Sequence, residues 1–283
     1  MTGKETRGTA TIEHGLSYAD YDKRPGLRSS ELKHGAKSML HMHAYATSET
    51  GDETKIMRIG RLMHAAVLEP AVFAKHVSIW GGKKRYGKDW DAFCDEHDEE
   101  WAVTPSEHAD LLMASAQVWG HRQAAALVRA TKHEVSLFWD DSSYGPAKIR
   151  LDGFCPKRGI IEYKTTGSVD SRSFGRTCAN MIYDIQMGWG WHATQLLTGR
   201  KDMPYHIIAQ EQKRPYDVVV YSVPESVLVA GYERAAEIAA AYRCSEALGV
   251  FGGTCGEVVP LEWPVWAGGE GGDVVDMEGM TDD

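Results

Sequence analysis

Asp152, Glu162 and Lys164 are the residues of this chain whose types and spacing could do chemistry together. They lie in the stretch Ala147 to Thr166, AKIRLDGFCPKRGIIEYKTT, which reads as two short strands joined by a tight turn. Pro156 pre-sets φ in that turn and Gly159 can supply a left-handed closing residue. A hairpin pivoting on Lys157 sets Asp152 opposite Glu162 and Arg150 opposite Lys164. Strand alternation then gathers Lys148, Arg150, Asp152, Phe154, Ile160, Glu162 and Lys164 on one face, and leaves Ala147, Ile149, Leu151, Ile161 and Tyr163 as a core face. Two carboxylates facing each other across a ladder repel and raise one another's pKa, a cost that a divalent cation turns into a gain. Asp152 and Glu162 are therefore a candidate metal seat.

The elements that must position these residues lie on either side. Before the hairpin, HEVSLFWDD reads as a strand in which Val135, Leu137 and Trp139 alternate with Glu134, Ser136 and Phe138, and Glu134 can turn toward the acidic surface. After it, Gly175 to Gly199 reads as one helix with Ile182, Ile185, Trp189 and Leu196 as its apolar stripe and Gln186 at the edge. Thr54 to Leu68 reads as a buried helix on which Gly60 and His64 share a face. A lone histidine there is ordinarily a core residue, so a metal-ligating role needs a second feature in agreement. Gly26 to Lys33 reads as a helix start with Ser29 or Ser30 as N-cap, and Arg28 beside those hydroxyls could hold a phosphate. In SIWGGKKRYGKDW, the cations Lys83, Lys84, Arg85 and Lys88 are interleaved with Trp80, Tyr86 and Trp90, which suits a phosphate backbone and unpaired bases. Thr104 to Ala130 reads as one long amphipathic helix, Tyr205 to Gln210 and Val218 to Tyr221 as strands, and Pro224 to Leu248 as a closing helix.

That order predicts an α+β fold, with a central mixed sheet flanked by helices and a helical region ahead of it. Residues 1–25 are expected to be irregular and 26–250 to form one domain, helical to about residue 130 and sheet-based after it. Residues 251–283 are expected to form an extension ending in a disordered tail rich in glycine and acids. Net charge is −9, but the last sixteen residues hold six acids and no base, so the remainder carries only −3 and does not exclude a polyanionic partner. Five cysteines without a CxxC pair oppose a zinc ribbon, a disulfide framework and an iron-sulfur cluster. No apolar run reads as a signal peptide or membrane span, which points to the cytosol.

Taken in order, His64 in GRLMHAAVLEP, Glu134, Asp152 in RLDGF, Glu162-Tyr163-Lys164 and Gln186 in YDIQ resemble the PD-(D/E)xK nucleases of the RecB-type branch. The pattern is most similar to the exonuclease VIII (RecE) type and its phage relatives, which share a fold with lambda exonuclease. GLRSSELK is similar to the amino-terminal signature of that group, and the resemblance spans roughly residues 16–248. It implies a restriction-endonuclease-like core in which His64, Asp152, Glu162 and the Tyr163 carbonyl bind Mg²⁺ or Mn²⁺, with two ions expected. Lys164 and Gln186 would be catalytic, and Glu134 and Arg150 are further candidates for the metal and the phosphate. The resemblance also implies 5′-to-3′ digestion of linear duplex DNA for recombination, a single-strand annealing partner, and a ring-shaped trimer or tetramer. One departure is Gly190, where the group often has tyrosine; Trp189 or Trp191 is expected to take its place.

Overall fold

In the computed structural model, residues 4–7, 9–48 and 54–263 are described, and the acidic end of the expected tail lies outside them. The chain opens with β1 (Lys4–Arg7), β2 (Ala10–Glu13) and α1 (Tyr18–Lys23), in the segment expected to be irregular. Four alternating residues suffice for β2 because β5 supplies its partner, a pairing that local polarity does not reveal. Next come α2 (Ser29–Gly35), α3 (Met39–Thr47), α4 (Lys55–Leu68) and α5 (Pro70–His76), then β3 (Ser78–Ile79), α6 (Lys88–Glu96) and β4 (Ala102–Val103). The second half holds α7 (Pro105–Gly120), α8 (Arg122–Ala130), β5 (Lys132–Asp141), β6 (Gly145–Cys155), β7 (Gly159–Thr166), α9 (Ser171–Asn180), α10 (Tyr183–Thr198), β8 (Tyr205–Glu211), β9 (Val218–Ser222) and α11 (Glu225–Leu248).

The main sheet runs β1-β2-β5-β6-β7-β8-β9, antiparallel throughout except for the parallel β7–β8 pair. Each face covers its own core. On one side Leu137, Ile149, Leu151, Ile160, Tyr205 and Ile207 pack with Ile185 and Trp189 of α10 and Ala235 of α11. On the other, Ile161, Tyr163 and Ile208 pack with Leu62 and Ala66 of α4 and Val118 of α7. The expected mixed sheet flanked by helices is thus present, as three layers.

Several boundaries differ from the sequence reading. Arg28, not Ser29 or Ser30, is the N-cap of α2. The helix expected over 104–130 breaks at His121, whose Nδ1 accepts the Ala124 amide (3.2 Å) and caps α8. The helix expected over 175–199 breaks at Ile182, which is left-handed (φ 52°). Neither break carries a proline, and apolar spacing resumes beyond each, so periodicity alone reads through them.

Lys148 is another departure. Assigned above to a charged face, it is 3% exposed. Its ammonium donates to the carbonyls of Tyr21 (3.1 Å), Asp22 (2.9 Å) and Arg24 (2.6 Å). It thereby ties the end of α1 to β6 just before α2 begins, with Leu27 bridged to Ala147 alongside. Phe154, assigned to the same face, belongs to the α10-side core.

Two glycines set the distance between α10 and α11. A Cβ on Gly188 would overlap the backbone of Tyr232, and one on Gly231 would overlap the carbonyl of Asp184, so the helices meet backbone to backbone. Because α10 carries Gln186, this contact also fixes one wall of the site. Gly231→Ala should therefore cost about 3 kcal/mol of stability, read as a lowered urea midpoint with unchanged m.

Candidate metal and phosphate site

The site is built where β6 loses its partners on both sides. The β5–β6 ladder runs from Lys132↔Phe154 to Asp141↔Gly145 but omits Glu134 opposite Asp152, and Glu134 has φ 51°. The β6–β7 ladder keeps the expected register through Gly153↔Ile161 and stops there. Leu151 and Phe154, three apart, both belong to the α10-side core, so the alternation slips between them. Ile161 and Tyr163, expected on one face with Leu151, lie in the other core for the same reason. Freed from the ladder, the Asp152 carboxylate accepts the Tyr163 amide at 2.7 Å. In a strand the amide and carbonyl of one residue point to the same neighbour, so the Tyr163 carbonyl also faces this gap.

α4 brings His64 into it. His64 Nε2 is 3.2 Å from Asp152 Oδ1, and Nδ1 is 3.5 Å from Glu134 Oε1. One ligand atom from each of His64, Glu134 and Asp152 can be chosen so that all lie within 4.8 Å of one another. Two carboxylates and an imidazole converging like this are a donor set suited to Mn²⁺ or Mg²⁺. Arg150, considered above for phosphate, instead holds Glu134 through Nε and donates to the Leu16 carbonyl at 2.8 Å. Burial opposes a charged His64, but Asp152 and then Glu134 outweigh it and lift its pKa to about 9.

Glu162 lies outside that trio and is 1% exposed. Its Oε1 receives Lys164 (2.5 Å) and the Gln186 amide (2.5 Å), and its Oε2 receives the Tyr205 hydroxyl (3.1 Å). The two carboxylates are pushed apart rather than raised together. Burial and the charge of Asp152 raise Glu162. Burial also works to raise Asp152, but His64, Lys164 and the Tyr163 amide overcome it and bring its pKa below the ordinary value. Lys164 resists deprotonation: burial opposes its charge, and Glu162 and Asp152 hold its pKa well above the usual lysine value. It is a permanent donor near neutral pH.

A cleft of about 330 Å³ opens over these groups, lined by Gly60, Arg61, His64, Tyr163, Lys164, Thr165 and Tyr183. Gly60 admits the Thr165 hydroxyl, which Gln212 holds at 2.9 Å. Tyr183 lines the cleft beside Lys164, its ring centre 4.9 Å from the ammonium. Trp189 and Trp191 are core residues whose indoles donate to the carbonyls of Lys148 (3.3 Å) and Met203 (3.0 Å), so neither replaces the tyrosine missing at Gly190. Tyr183 precedes Gln186 by three residues, and helical spacing could have paired them. Lys33 and Tyr205 were missed because only tertiary packing brings them to Gln186 and Glu162.

The other phosphate candidates lie apart or are engaged. Arg28 pairs with Asp22 and Glu31, while Ser29 and Ser30 are simply the first residues of α2. Arg85 pairs with Glu107, which Arg58 also holds (2.8 Å). That leaves Lys83, Lys84 and Lys88 exposed, with Lys84 over the exposed Tyr86 ring (5.2 Å).

A family model described as a PDDEXK-like domain of unknown function (DUF3799) matches residues 28–259. The chain belongs to this family. Its fold is also similar to the crystal structure of a protein from Eubacterium rectale described as a "Putative exonuclease". The TM-score is 0.60 at 13% identity, over 90% of this chain and 98% of that one. The structure of SSO0001 aligns at a TM-score of 0.26 and 12% identity, over 74% of this chain and 85% of that one, too remote to carry an argument. A search of curated protein sequences gives no match. Among the described residues of this PDDEXK-like chain, no helix is long and apolar enough to cross a membrane.

An ion on this trio must displace a proton from His64 at neutral pH. Mn²⁺ binding followed by calorimetry should accordingly tighten as pH rises from 6 to 9, by about tenfold per unit, with proton release that vanishes in His64→Ala.

Proposed function

We propose that this protein is a Mg²⁺-dependent nuclease that degrades linear duplex DNA from its ends. The observation that carries the reading is the pairing of the His64, Glu134 and Asp152 cluster with a buried Glu162-Tyr163-Lys164 strand beside one open cleft. Three acids gathered beside one lysine at a strand break are costly as a structural network alone, and they suit phosphodiester hydrolysis as metal ligands beside a charged donor.

His64, Glu134 and Asp152 would hold the ion, with Glu162 and the Tyr163 carbonyl as further ligands and room for Mg²⁺, or Mn²⁺, as one ion or two. Such a metal supplies Lewis acidity toward the phosphate and lowers the pKa of the attacking water. The remaining work belongs to the chain. Lys164, held charged, cannot act as a base; it donates to the water or to a phosphate oxygen as negative charge builds in the transition state. Gln186 fixes Glu162 with its amide and gives its carbonyl to Lys164 (3.4 Å), so one side chain sets the spacing of acid and lysine. Tyr205 holds the other oxygen of Glu162 from behind.

The finer reading follows the sequence resemblance. The polarity is 5′ to 3′, and the product is a 3′ overhang handed to a single-strand annealing protein in phage-type recombination in a bacterial cytosol. A trimeric or tetrameric ring would bring the loops of Lys83, Lys84 and Lys88 around a central hole, where converging cations focus the field on DNA despite the net negative charge. A sequence-specific endonuclease on the same fold is the competing reading.

Digestion of linear and covalently closed duplexes of the same sequence, with Mg²⁺ and with EDTA, tests both. End-dependent degradation is expected only for the linear form and only with Mg²⁺; cutting of the circle would favour the endonuclease, and no cutting of either would sink the nuclease reading. Asp152→Ala, Glu162→Ala and Lys164→Ala should each reduce cleavage at least a thousandfold with circular dichroism unchanged, and His64→Ala should weaken it sharply. A fully active Glu162→Ala protein would remove Glu162 from the assignment.

A further inference from the structure

The geometry points to Lys33 as a substrate-binding residue: with Lys164 it forms a two-lysine seat for a phosphate group of the DNA strand, on the Gln186 side of the cleft. The inference deepens the nuclease reading and rests on it for the identity of the ligand.

Lys33 sits on α2, whose N-cap residue, Arg28, is paired with Asp22 and Glu31 and so is not available to a ligand. Lys33 Nζ donates to Gln186 Oε1 at 3.0 Å and lies 4.8 Å from the centre of the Tyr183 ring. Lys164 Nζ reaches the same Gln186 oxygen at 3.4 Å and the same ring at 4.9 Å. Two ammoniums that share an oxygen and a ring are close neighbours, and neighbouring like charges are costly away from water.

The acids balance Lys164, but none among the described residues bonds to Lys33. Glu162 is bonded to Lys164, Gln186 and Tyr205, and Asp184 pairs with Arg234 (3.4 Å); neither bonds to Lys33. An ammonium carries three donors, and among the described residues one oxygen accepts from Lys33. Burial, with the charge of Lys164 added, outweighs the charges of Glu162 and Asp184 and lowers its pKa to about 8, as expected of a buried cation with no acid bonded to it. A phosphate oxygen would accept the remaining donors and offset both lysines at once. Tyr183 supports both cations with its ring face and lines the cleft, so this seat adjoins the space a strand would enter.

The test separates this role from mere support of Gln186. Wild type, Lys33→Ala, Lys33→Gln and Lys33→Arg would be melted in EDTA with and without inorganic phosphate. Binding of a labelled blunt duplex would then be measured in Ca²⁺ across a salt series. Expected are a phosphate-induced rise in Tm for wild type and Lys33→Arg that disappears in the other two, about tenfold weaker duplex binding by Lys33→Ala, and a salt slope reduced by about one. The same phosphate response in wild type and Lys33→Ala, no response in wild type, or an unchanged salt slope would each overturn the assignment. The nuclease reading is judged separately, by degradation of DNA in Mg²⁺. A wild type that shows the Lys33-dependent phosphate effect yet degrades no DNA supports the anion seat and rejects the nuclease.

Discussion

The Asp152 carboxylate replaces a stretch of β-ladder, and the site depends on that substitution. Its Oδ2 takes the Tyr163 amide that regular pairing would have satisfied from the β6 backbone, and its Oδ1 faces His64. A strand break inside a sheet ordinarily leaves buried amides unpaired, at about 1–3 kcal/mol each. Here a side chain fills the break, and the gap becomes a place where backbone, carboxylate and imidazole meet. The left-handed Glu134 on the neighbouring strand belongs to the same distortion, turning its carboxylate to His64 and Arg150.

From that break the rest of the molecule can be understood as two supports. On one face, α4 is held so that His64 meets the gap. On the other, α10 presents Gln186, and its backbone-close packing against α11 leaves little freedom to shift. Lys148, with three carbonyl acceptors, secures the segment from which α2 carries Lys33 to Gln186. Elements distant in sequence thus converge on two carboxylates one strand apart whose environments differ: Asp152 is held ionised by cations and an amide, while Glu162 is buried among donors. Separating two acids in this way is how one site can hold both a strong ligand and a more basic group.

The charge arrangement also explains how an acidic chain can suit a polyanion. The six acids of the carboxy terminus account for most of the net charge. Lys164 lines the cleft and Lys33 shares the Gln186 oxygen with it, whereas Arg28, Arg58, Arg85 and Arg150 are tied to acids and serve the scaffold. Counting cations along the sequence does not distinguish the two groups; the partner of each one does.

By itself the sequence determined the fold class, the hairpin with its register up to Gly153 and Ile161, the strand of Val135, Leu137 and Trp139, and the order of the candidate ligands. These rest on short-range physics: turn residues, alternation and helical period act within a few residues and are written there. Tertiary structure alone decided that β2 completes the sheet, that the alternation slips at Asp152, that Trp189 and Trp191 are core, and which lysines and arginines are free to meet a ligand. Each of those outcomes depends on a partner far along the chain, β5 for β2, Lys148 for Trp189, Gln186 for Lys33, and no local pattern encodes a distance between segments that only packing brings together.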